Sequence, residues 1–393
     1  MKNNSFLSHL YAFLILSLLV PGLQSVHAQG IISGKVISES TGKPLTGASV
    51  YINSSTIGTT TNEAGEFRLH VPGNGFYDIV ASYVGYEIIV YRATIQSKDI
   101  QVIFKLQEKP TELRNIVVLS KEGRARRLKI LRENFLGITE AAEKTKIVNE
   151  EEILFTDVGG KDVVGAFSVV PLEIVNKELG YRIFFQLEDF YINEAEGRTY
   201  FYGYSRFEEL REKGKIPARY LRNRDRYYRG STLHFFHSLI DNKVKEEGFL
   251  LLHIQAMKSP GDEPGKATTT IDSLNHSGIK VNVAGKMNIG SPITPAQFFK
   301  KDTLNGNNVY VLNWTEKLRV TYSKDPFQKK YLMKKVMLSG NLPVGVYSDV
   351  DMLEAPAIMD ANGSLYNPLA VMMAGYWSYE KLACMLPINY RPH

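Results

Sequence analysis

The sequence predicts a mainly β protein in which an antiparallel β-sandwich of about seven strands is followed by an α+β domain. From residue 31 to residue 106, short runs that alternate apolar and polar residues are separated by turn clusters of Gly, Pro and Asn, which is typical of a sandwich. Beyond residue 120, polar segments with helical spacing alternate with further β-type runs, which favours an α+β fold. The 393 residues are enough for about two or three domains.

Residues 1–28 have the pattern of a secretory signal peptide. Lys2 supplies the positive charge, residues 10–20 (LYAFLILSLLV) the apolar segment, and residues 26–28 (VHA) the small-residue cleavage site. The apolar run is shorter than the roughly 20 residues that span a bilayer, so we expect cleavage rather than a membrane anchor. We therefore predict export to the periplasm or the outer membrane, with a mature chain that starts near Gln29.

The charge and cysteine content narrow the expected partners. The formal net charge is +6, and Cys384 is the single cysteine, so no intramolecular disulfide can form. An exported chain is not expected to meet nucleic acid, and its mild basicity favours an anionic surface. The expected partner is an envelope protein or an anionic glycan or lipid, with peripheral membrane association. The sequence leaves the oligomeric state open.

The N-terminal region divides into segments with the alternation of strands. Between two of them lies TTTNEAGEF (residues 59–67), an oxygen-rich stretch that we predict to be a turn, in which Asn62 caps its own backbone and Gly65 takes positive φ. A metal-binding loop would need more carboxylates at alternating positions than Glu63 and Glu66 provide. The predicted strands are residues 31–38, 48–53, 66–71, 77–84, 87–95 and 100–106.

A set of spaced residues in this region has a recognisable pattern: Gly34, Val36, Gly42, Pro44, Leu45, Gly47, Ala48, Val50, Gly58, Thr59, Thr61, Asn62, Gly65, Phe67 and the segment SYVGY at residues 82–86. Their spacing resembles the carboxypeptidase-D regulatory-like domain. The resemblance implies a transthyretin-like β-sandwich over residues 29–108, which in true carboxypeptidases accompanies the catalytic domain without doing the chemistry. The region also looks like the leading domain of TonB-dependent outer-membrane receptors of Bacteroidetes, which implies an envelope module.

Residues 109–120 are predicted to be a linker, and residues 121–393 a single α+β domain of unknown function. The segment TELRNIVVLS (residues 111–120) is similar to the strand that joins the N-terminal domain to a receptor plug. The roughly 270 residues that follow are too few for a plug and a 22-stranded transporter. The segments PLEIVNKELGYRI (residues 171–183) and GYWSYEKLACMLPINY (residues 375–390) resemble exported Bacteroidetes proteins named only for their N-terminal domain.

Several elements of the C-terminal region follow from local patterns. A helix is predicted from residue 121, with Leu128, Leu131 and Phe135 on one face. Asn149 and Asn176 each precede glutamates, which predicts helix N-caps. Predicted strands are residues 181–192, 198–207, 309–314, 318–323, 334–340 and 342–353, with helical spacing in residues 207–252.

The motifs of catalysis are missing, so we predict no catalytic residue and no cofactor. A zinc carboxypeptidase site usually begins with His-x-x-Glu, and none of the eight histidines has a glutamate three residues later. His234 and His237 would share a helix face and are weak metal candidates, although they equally flank aromatic core positions. There is no Gly-x-Ser-x-Gly motif, and Cys384 has no flanking charge that would activate its thiol.

Two hydrolase hypotheses remain open beside a non-catalytic protein. A carboxypeptidase follows from domain association alone. A glycan hydrolase could use Asp349 and Asp351, which alternate on one strand face, with Glu354 and Asp360 nearby. The alternative for these carboxylates is a solvated strand followed by a hairpin at residues 360–363 (DANG).

The tyrosines raise a third hypothesis. Tyr200, Tyr202 and Tyr204 alternate along a predicted strand, so their rings share one face, and the chain holds 22 tyrosines in all. Aromatic girdles of this kind occur in small outer-membrane barrels. Within an α+β domain the same residues are expected to pack against cross-strand neighbours rather than form a sugar platform.

The segment ARYLRNRDRYYRG (residues 218–230) holds the predicted binding site. If it is helical, four arginines at steps of three, four and three residues form one cationic stripe beside tyrosines. Guanidinium groups bind phosphate or carboxylate bidentately, and a tyrosine ring offers a flat face to a sugar. The functional hypothesis is an anionic envelope ligand, and the alternative is a solvated basic helix paired with the acidic residues 208–213. The candidate residues are Arg219, Arg222, Arg226, Arg229, Tyr220 and Tyr227, with Tyr228 beside them.

Overall fold

The fold is taken from a computed structural model of the chain. It describes residues 30–72, 75–95, 99–109, 115–160, 163–195, 198–256, 270–274, 278–282, 287–304, 306–315, 317–324, 331 and 347–392. The predicted signal peptide and the predicted strand at residues 334–340 lie outside the described residues.

Seven strands form the N-terminal β-sandwich that the sequence predicts. One sheet has the order β4-β1-β7 and the other the order β3-β2-β5-β6. Within the described strands of the sandwich, β1 and β7 pair in parallel and the other pairs are antiparallel. Alternate residues point inwards, and Ile32, Val50 and Ile79 are fully buried between the sheets. The strands are β1 (Gly30–Ser38), β2 (Ser49–Ile52), β3 (Gly58–Thr60), β4 (Glu66–Val71), β5 (Gly75–Ser82), β6 (Ile89–Ile95) and β7 (Ile100–Leu106).

The segment at residues 59–67 is the turn that the sequence predicts. The Asn62 side-chain oxygen accepts hydrogen bonds from the backbone N–H groups of Ala64 (3.0 Å) and Glu66 (2.8 Å), and Gly65 has φ +72°. Because Asn62 is used by the backbone, this loop has a structural role.

A six-stranded sheet and a long helix enclose a second hydrophobic core. The strand order is β8-β11-β12-β10-β9, and β13 pairs along the full length of β12. Helix α1 (Lys121–Phe135) confirms the predicted helix, since Leu131 and Phe135 are buried against the sheet. The other elements are α2 (Glu140–Glu143), β8 (Thr145–Ile147), β9 (Ile153–Thr156), β10 (Val163–Ser168), β11 (Leu172–Asn176), β12 (Tyr181–Asn193) and β13 (Arg198–Glu209).

Neither asparagine that was predicted to cap a helix does so with its side chain. Asn149 precedes a short 3-10 turn, but its side-chain oxygen accepts a hydrogen bond from the Glu173 backbone N–H. Asn176 ends β11, and its side-chain oxygen accepts hydrogen bonds from the N–H groups of Glu178 and Leu179 in the turn to β12. The helix prediction at Asn176 is wrong because an asparagine caps the N–H groups of a tight turn as well as those of a helix.

A third hydrophobic core lies between two more sheets and a helix. One sheet has the order β17-β14-β20-β21-β23 and the other the order β18-β19-β22, with β15 and β16 pairing as a hairpin. The elements are α3 (Ala218–Tyr228), α4 (Thr232–Ile240), β14 (Phe249–Ala256), β15 (Thr270–Leu274), β16 (Gly278–Asn282), β17 (Met287–Pro292), β18 (Phe299–Leu304), β19 (Asn307–Leu312), β20 (Lys317–Tyr322), β21 (Tyr347–Met352), β22 (Ala357–Met359), β23 (Val371–Gly375) and α5 (Tyr376–Tyr379).

The C-terminal segment, residues 376–392, contacts all three hydrophobic cores. Trp377 belongs to the third core, Leu382 and Tyr390 belong to the second, and Ile388 packs against the first. The region after residue 120 therefore contains two cores, and one continuous segment crosses both before it reaches the N-terminal sandwich.

The N-terminal sandwich is attached to the rest of the chain by backbone hydrogen bonds. The Ser54 N–H donates to the Ser205 carbonyl (2.7 Å), and the Ile388 N–H donates to the Ser54 carbonyl (2.8 Å). In the predicted linker, the Val117 N–H donates to the Phe155 carbonyl (2.9 Å), so part of the linker lies along β9. No helix in the described part of the chain is long and apolar enough to cross a membrane.

Candidate functional site

The predicted arginine stripe lies on helix α3, but part of its charge is already paired. Arg219 forms an ion pair with Glu212. Arg226 pairs with Glu178 (2.9 Å) and, at 3.6 Å, with Glu140. Intramolecular pairing of this kind reduces the attraction that these two cations can offer to an anionic ligand.

The two other members of the stripe are also exposed. Arg222 lies on the outer face of α3, and Arg229 follows the helix in an extended conformation. Among the described residues neither forms an ion pair. Tyr220 and Tyr227 are buried, with 5% and 1% exposure, so their faces do not reach solvent. Of the six candidate residues, Arg222 and Arg229 are thus the ones best placed to bind an anion.

The same helix carries an arginine that the stripe does not include. Arg224 is 2% exposed and donates to the carbonyls of Leu179 (2.8 Å) and Gly180 (3.0 Å) and to the Glu209 carboxylate (2.9 Å). Its guanidinium lies 3.8 Å from the centroid of the Tyr181 ring. Arg224 therefore fixes α3 to the hairpin of β11 and β12. Its role could not be predicted from local spacing, because its acceptors are distant in the chain.

The two histidines of α4 are buried and hydrogen-bonded through both ring nitrogens. His234 accepts at Nδ1 from the Gly230 N–H (3.0 Å), which leaves Nε2–H to donate to Glu247 (3.2 Å). His237 donates from Nε2 to the Asn362 carbonyl (3.2 Å), so its Nδ1 accepts from the Tyr228 hydroxyl (2.8 Å). The tautomers follow from these partners.

Burial keeps both histidines neutral. It lowers the pKa of His237 to about 3 and also lowers the pKa of His234, because a charged imidazole loses its hydration inside the protein. Among the described residues there is no group of three or more His, Cys, Asp and Glu that could hold a metal ion.

The aspartates of β21 lie opposite cations of β20. Asp349 accepts two hydrogen bonds from Arg319, at 2.7 and 2.9 Å, and both side chains are buried. Asp351 pairs with Lys317 at 3.2 Å. These are cross-strand neighbours in the antiparallel ladder, so each carboxylate of the proposed hydrolase pair has its own cation.

The remaining acidic and thiol candidates are also held within the fold. Asp360 accepts from the N–H groups of Asn362 (2.8 Å) and Ser364 (3.0 Å) in the predicted hairpin turn, and burial raises its pKa to about 6. Glu354 accepts from the Asn367 side chain. Cys384 is buried beside Thr139, and burial raises the pKa of its thiol.

The outer surface of β12 and β13 presents a row of tyrosines that we call the tyrosine face: Tyr191, Tyr200, Tyr202 and Tyr204. Strand geometry separates them from the core, because Phe201 points the other way and packs against Phe135 of α1, with ring centroids 5.0 Å apart. Tyr200 and Tyr202 are 46% and 42% exposed, so much of each ring is open to solvent.

The tyrosine face is ordered by ring stacking and hydroxyl contacts. The rings of Tyr191 and Tyr200 are stacked, with centroids 5.5 Å apart and an interplanar angle of 16°. The Tyr202 and Tyr204 hydroxyls are hydrogen-bonded to each other at 2.6 Å. The Tyr200 hydroxyl donates to Asp189 (2.8 Å), and partial burial together with this bond raises the pKa of Tyr200 to about 12. Tyr200 therefore stays neutral.

A groove adjoins the tyrosine face at Asp189. Its volume is about 460 Å³, which is within the range of small-molecule sites. Its floor is the outer face of β9 and β10, and the linker borders it through Asn115. The side chains that define it are Asn115, Thr156, Asp157, Phe167, Glu188 and Asp189.

The charge of the groove is negative. Asp157, Glu188 and Asp189 line it, and its described lining contains no lysine or arginine. Arg206, two residues after Tyr204 on β13, is paired with Glu208 and lies over the Phe184 ring. The groove and the tyrosine face thus form one surface of aromatic rings and carboxylates, which the sequence signalled only through the alternating tyrosines.

Residues 32–118 match the family model of the CarboxypepD_reg-like domain. The N-terminal sandwich is therefore a CarboxypepD_reg-like domain, as the spaced residues predict. The match runs past β7 and includes the linker residues that pair with β9. No curated protein sequence matches the chain.

Among the solved structures similar to the chain, three cover between 19% and 88% of it. An interface mutant of a type II cohesin–X-dockerin complex of Acetivibrio cellulolyticus is 20% identical over 19% of this chain and 52% of that one, with a TM-score of 0.17. A candidate carbohydrate binding protein of Bacteroides uniformis is 11% identical over 39% of this chain and 55% of that one, with a TM-score of 0.18. A candidate membrane-associated protein of unknown function of Bacteroides fragilis is 11% identical over 88% of this chain and 95% of that one, with a TM-score of 0.18. The chain thus spans about half of the first of these structures.

Proposed function

We propose that this chain is an exported, non-catalytic protein of the cell envelope that binds another envelope component. The observation that carries the proposal is the CarboxypepD_reg-like domain at residues 32–118. The domain that this region resembles accompanies the catalytic domain of true carboxypeptidases without doing the chemistry, and it also leads outer-membrane receptors of Bacteroidetes. The signal-peptide pattern at residues 1–28 is consistent with export.

The candidate metal and catalytic side chains are engaged in contacts within the protein, which favours a binding function over catalysis. A general base needs a lone pair that can reach substrate, whereas the ring nitrogens of His237 face Tyr228 and Asn362. Both oxygens of the Asp349 carboxylate accept hydrogen bonds from Arg319. A nucleophilic cysteine needs a low pKa and access, and Cys384 has neither.

The open surfaces of the described chain offer two chemistries to a partner. Arg222 and Arg229 could attract an anionic lipid or glycan. The tyrosine face with its groove suits a ligand that stacks on rings and donates hydrogen bonds. Both surfaces lie in the region that follows the CarboxypepD_reg-like domain, so that region is the part that binds.

Fractionation of the native host tests the proposal. We expect the protein in the periplasmic or outer-membrane fraction, with an N-terminus near Gln29 when it is sequenced. A wash at high ionic strength then separates the two surfaces, since screening weakens exposed electrostatic contacts. Release by salt indicates attachment through Arg222 and Arg229, and retention indicates attachment through other contacts. A cytoplasmic protein that retains residues 1–28 contradicts the proposal.

A further inference from the structure

The tyrosine face has the features of a stacking surface for a repeating ligand. Alternate residues of a strand lie about 7 Å apart, so Tyr200 and Tyr202 present half-exposed rings in a row on β13. The stacking of Tyr191 on Tyr200 and the hydroxyl bond between Tyr202 and Tyr204 hold these rings in place. Because the rings are ordered before any ligand arrives, binding costs little side-chain entropy.

The groove supplies acceptors for hydroxyl groups beside these rings. An ionised carboxylate accepts strong hydrogen bonds from hydroxyls. Asp189 uses one carboxylate oxygen for the Tyr200 hydroxyl, and in the described part of the chain its other oxygen has no hydrogen-bond partner. Asp157 and Asn115 line the same groove. A ligand that stacks on Tyr200 can therefore donate hydroxyl protons to Asp189.

The charge of this surface selects among glycans. An acidic glycan or a lipid phosphate would meet the carboxylates of Asp157, Glu188 and Asp189 and be repelled. An apolar chain would cover Asp189 without donating a hydrogen bond to its second carboxylate oxygen. A glycan without charge avoids both costs, because its ring faces are apolar and its hydroxyls donate hydrogen bonds.

We propose that the tyrosine face and its groove bind an uncharged glycan chain, with Tyr200 and Tyr202 as stacking residues and Asp189 as a hydroxyl acceptor. This inference rests on the proposed binding function and replaces the anionic ligand of the arginine stripe with a neutral one. The ligand lies across β13 at the outer face of the sheet, away from Arg222 and Arg229.

The test measures binding of the purified mature chain to polysaccharides of known charge. Native gels that contain dextran, pullulan, galactomannan, xyloglucan or laminarin provide the neutral probes, and alginate and polygalacturonate provide the anionic ones. We expect at least one neutral polysaccharide to retard the protein. Retardation by the anionic polysaccharides alone, or by none of the neutral ones, overturns the inference.

Variants locate the site. Tyr202→Ala should weaken neutral binding about fivefold, and the double variant Tyr200→Ala/Tyr202→Ala by about tenfold or more, the size expected for lost aromatic contacts. Asp189→Asn should also weaken binding, because a neutral amide is a poorer acceptor. Tyr91→Ala is the matched control, since Tyr91 is a comparably exposed tyrosine, 39% exposed, on β6 of the N-terminal sandwich. Unchanged thermal unfolding of each variant separates a binding defect from a folding defect.

The outcomes also separate this inference from the proposed function. A protein that fractionates with the envelope but binds no neutral glycan overturns the inference and leaves the envelope proposal standing. A protein that binds neutral glycans equally well after Tyr200→Ala/Tyr202→Ala places the glycan elsewhere and overturns the assigned site. Binding to polylysine without binding to any neutral polysaccharide identifies a basic peptide as the ligand and likewise overturns the inference.

Discussion

Arg224 is the buried cation that holds helix α3 to the second core. Replacing it with alanine removes the ion pair to Glu209 and the hydrogen bonds to the carbonyls of Leu179 and Gly180, of which the Gly180 carbonyl keeps the Leu210 N–H as a donor. Breaking a buried, hydrogen-bonded pair costs several kcal/mol. We expect Arg224→Ala to lower the free energy of unfolding by about 3 kcal/mol, measured by urea denaturation.

Arg222 provides the control for this prediction, because it lies on the same helix but is exposed. Arg222→Ala should change the free energy of unfolding by no more than about 0.5 kcal/mol. If the two variants are equally stable, Arg224 contributes no more than a surface arginine and its contacts are misassigned.

His237 makes the stability of the fold depend on pH. Its folded-state pKa is lowered to about 3 from the ordinary 6.5, so between these values the unfolded chain binds the proton and the folded chain does not. The stability that the neutral His237 side chain contributes to the folded state is therefore fully present above pH 6.5, and it is lost as the pH falls towards 3. At pH 5 the loss from this group amounts to about 2 kcal/mol.

The variant His237→Gln isolates that contribution. It should be less stable than the wild type at pH 7, because it loses the bonds to Tyr228 and Asn362, but its stability should fall less between pH 7 and pH 5. Subtracting the variant's change in stability between the two pH values from that of the wild type cancels other titrating groups such as Asp360. The exposed His70 gives the control variant His70→Gln, and an identical pH dependence in all three proteins would show that His237 does not titrate as described.

At the scale of single elements, two glycines with the same backbone conformation differ in the space around them. Gly180 in the turn before β12 has φ +70°, and Gly214 has φ +79°. A Cβ at Gly180 would lie 2.1 Å from the Tyr220 ring, whereas a Cβ at Gly214 would meet nothing within 4 Å. Both alanine variants incur the cost of positive φ, but the first also displaces the buried Tyr220 side chain of α3.

We therefore expect Gly180→Ala to be less stable than Gly214→Ala by about 2 kcal/mol, in the range of overpacking effects. Thermal and urea unfolding of the two variants provide the comparison. Since the backbone strain is shared, the difference between them reports the packing of Tyr220 alone. Equal stability would mean that the ring can move aside without cost.

Patterns of neighbouring residues predicted the strands, helices and turns that depend on neighbouring residues alone. The strands of the sandwich and helix α1 follow from side-chain periodicity, because that periodicity decides which face is buried. The turn at Asn62 follows from an asparagine that bonds to its own backbone. The helix predicted after Asn176 is absent because an asparagine side chain can accept from the N–H groups of a helix or of a tight turn. Here β11 pairs with β12, so the chain after Asn176 must turn back rather than continue as a helix.

The candidate site was less predictable than the fold. The spacing of the stripe identified arginines on one helix but not their partners, and Arg226 is paired with Glu178, 48 residues earlier in the chain. Alternation placed Tyr200 and Tyr202 on one face of a strand. It could not show that this face is open beside a groove, since the groove is built by β9, β10 and the linker, which meet β12 only in the folded protein.

At the scale of the whole molecule, the C-terminal segment ties the three hydrophobic cores together. Leu382, Cys384 and Tyr390 are buried in the second core. The Ile388 N–H donates to the Ser54 carbonyl of the N-terminal sandwich, and the Asn389 side chain donates to the Thr56 hydroxyl (2.8 Å). The second core should therefore depend on this segment, because removing Leu382, Cys384 and Tyr390 exposes the side chains that they cover.

Truncation tests this dependence. A chain that ends at Lys381 loses several fully buried side chains, each of which contributes about 1.5–3 kcal/mol, and the sum is comparable with the total stability of a typical domain. We expect it to lose the near-ultraviolet circular dichroism of packed aromatic residues, whereas a chain that ends at Arg391 should keep the wild-type spectrum and unfolding temperature.

The N-terminal sandwich should survive the same truncation. Its core is closed by its own two sheets, and within the described residues Ile388 is the one hydrophobic side chain from outside that packs against this core. Tyr366, which the truncated chain keeps, contacts Phe76 of β5 and Arg92 of β6. Limited trypsin digestion of the chain that ends at Lys381 should therefore leave a resistant fragment of about residues 30–108 while the remainder is degraded. Complete digestion of both parts would show that the sandwich depends on the C-terminal segment for its own folding. Resistance of the whole truncated chain would show that residues 382–393 are dispensable to the second core.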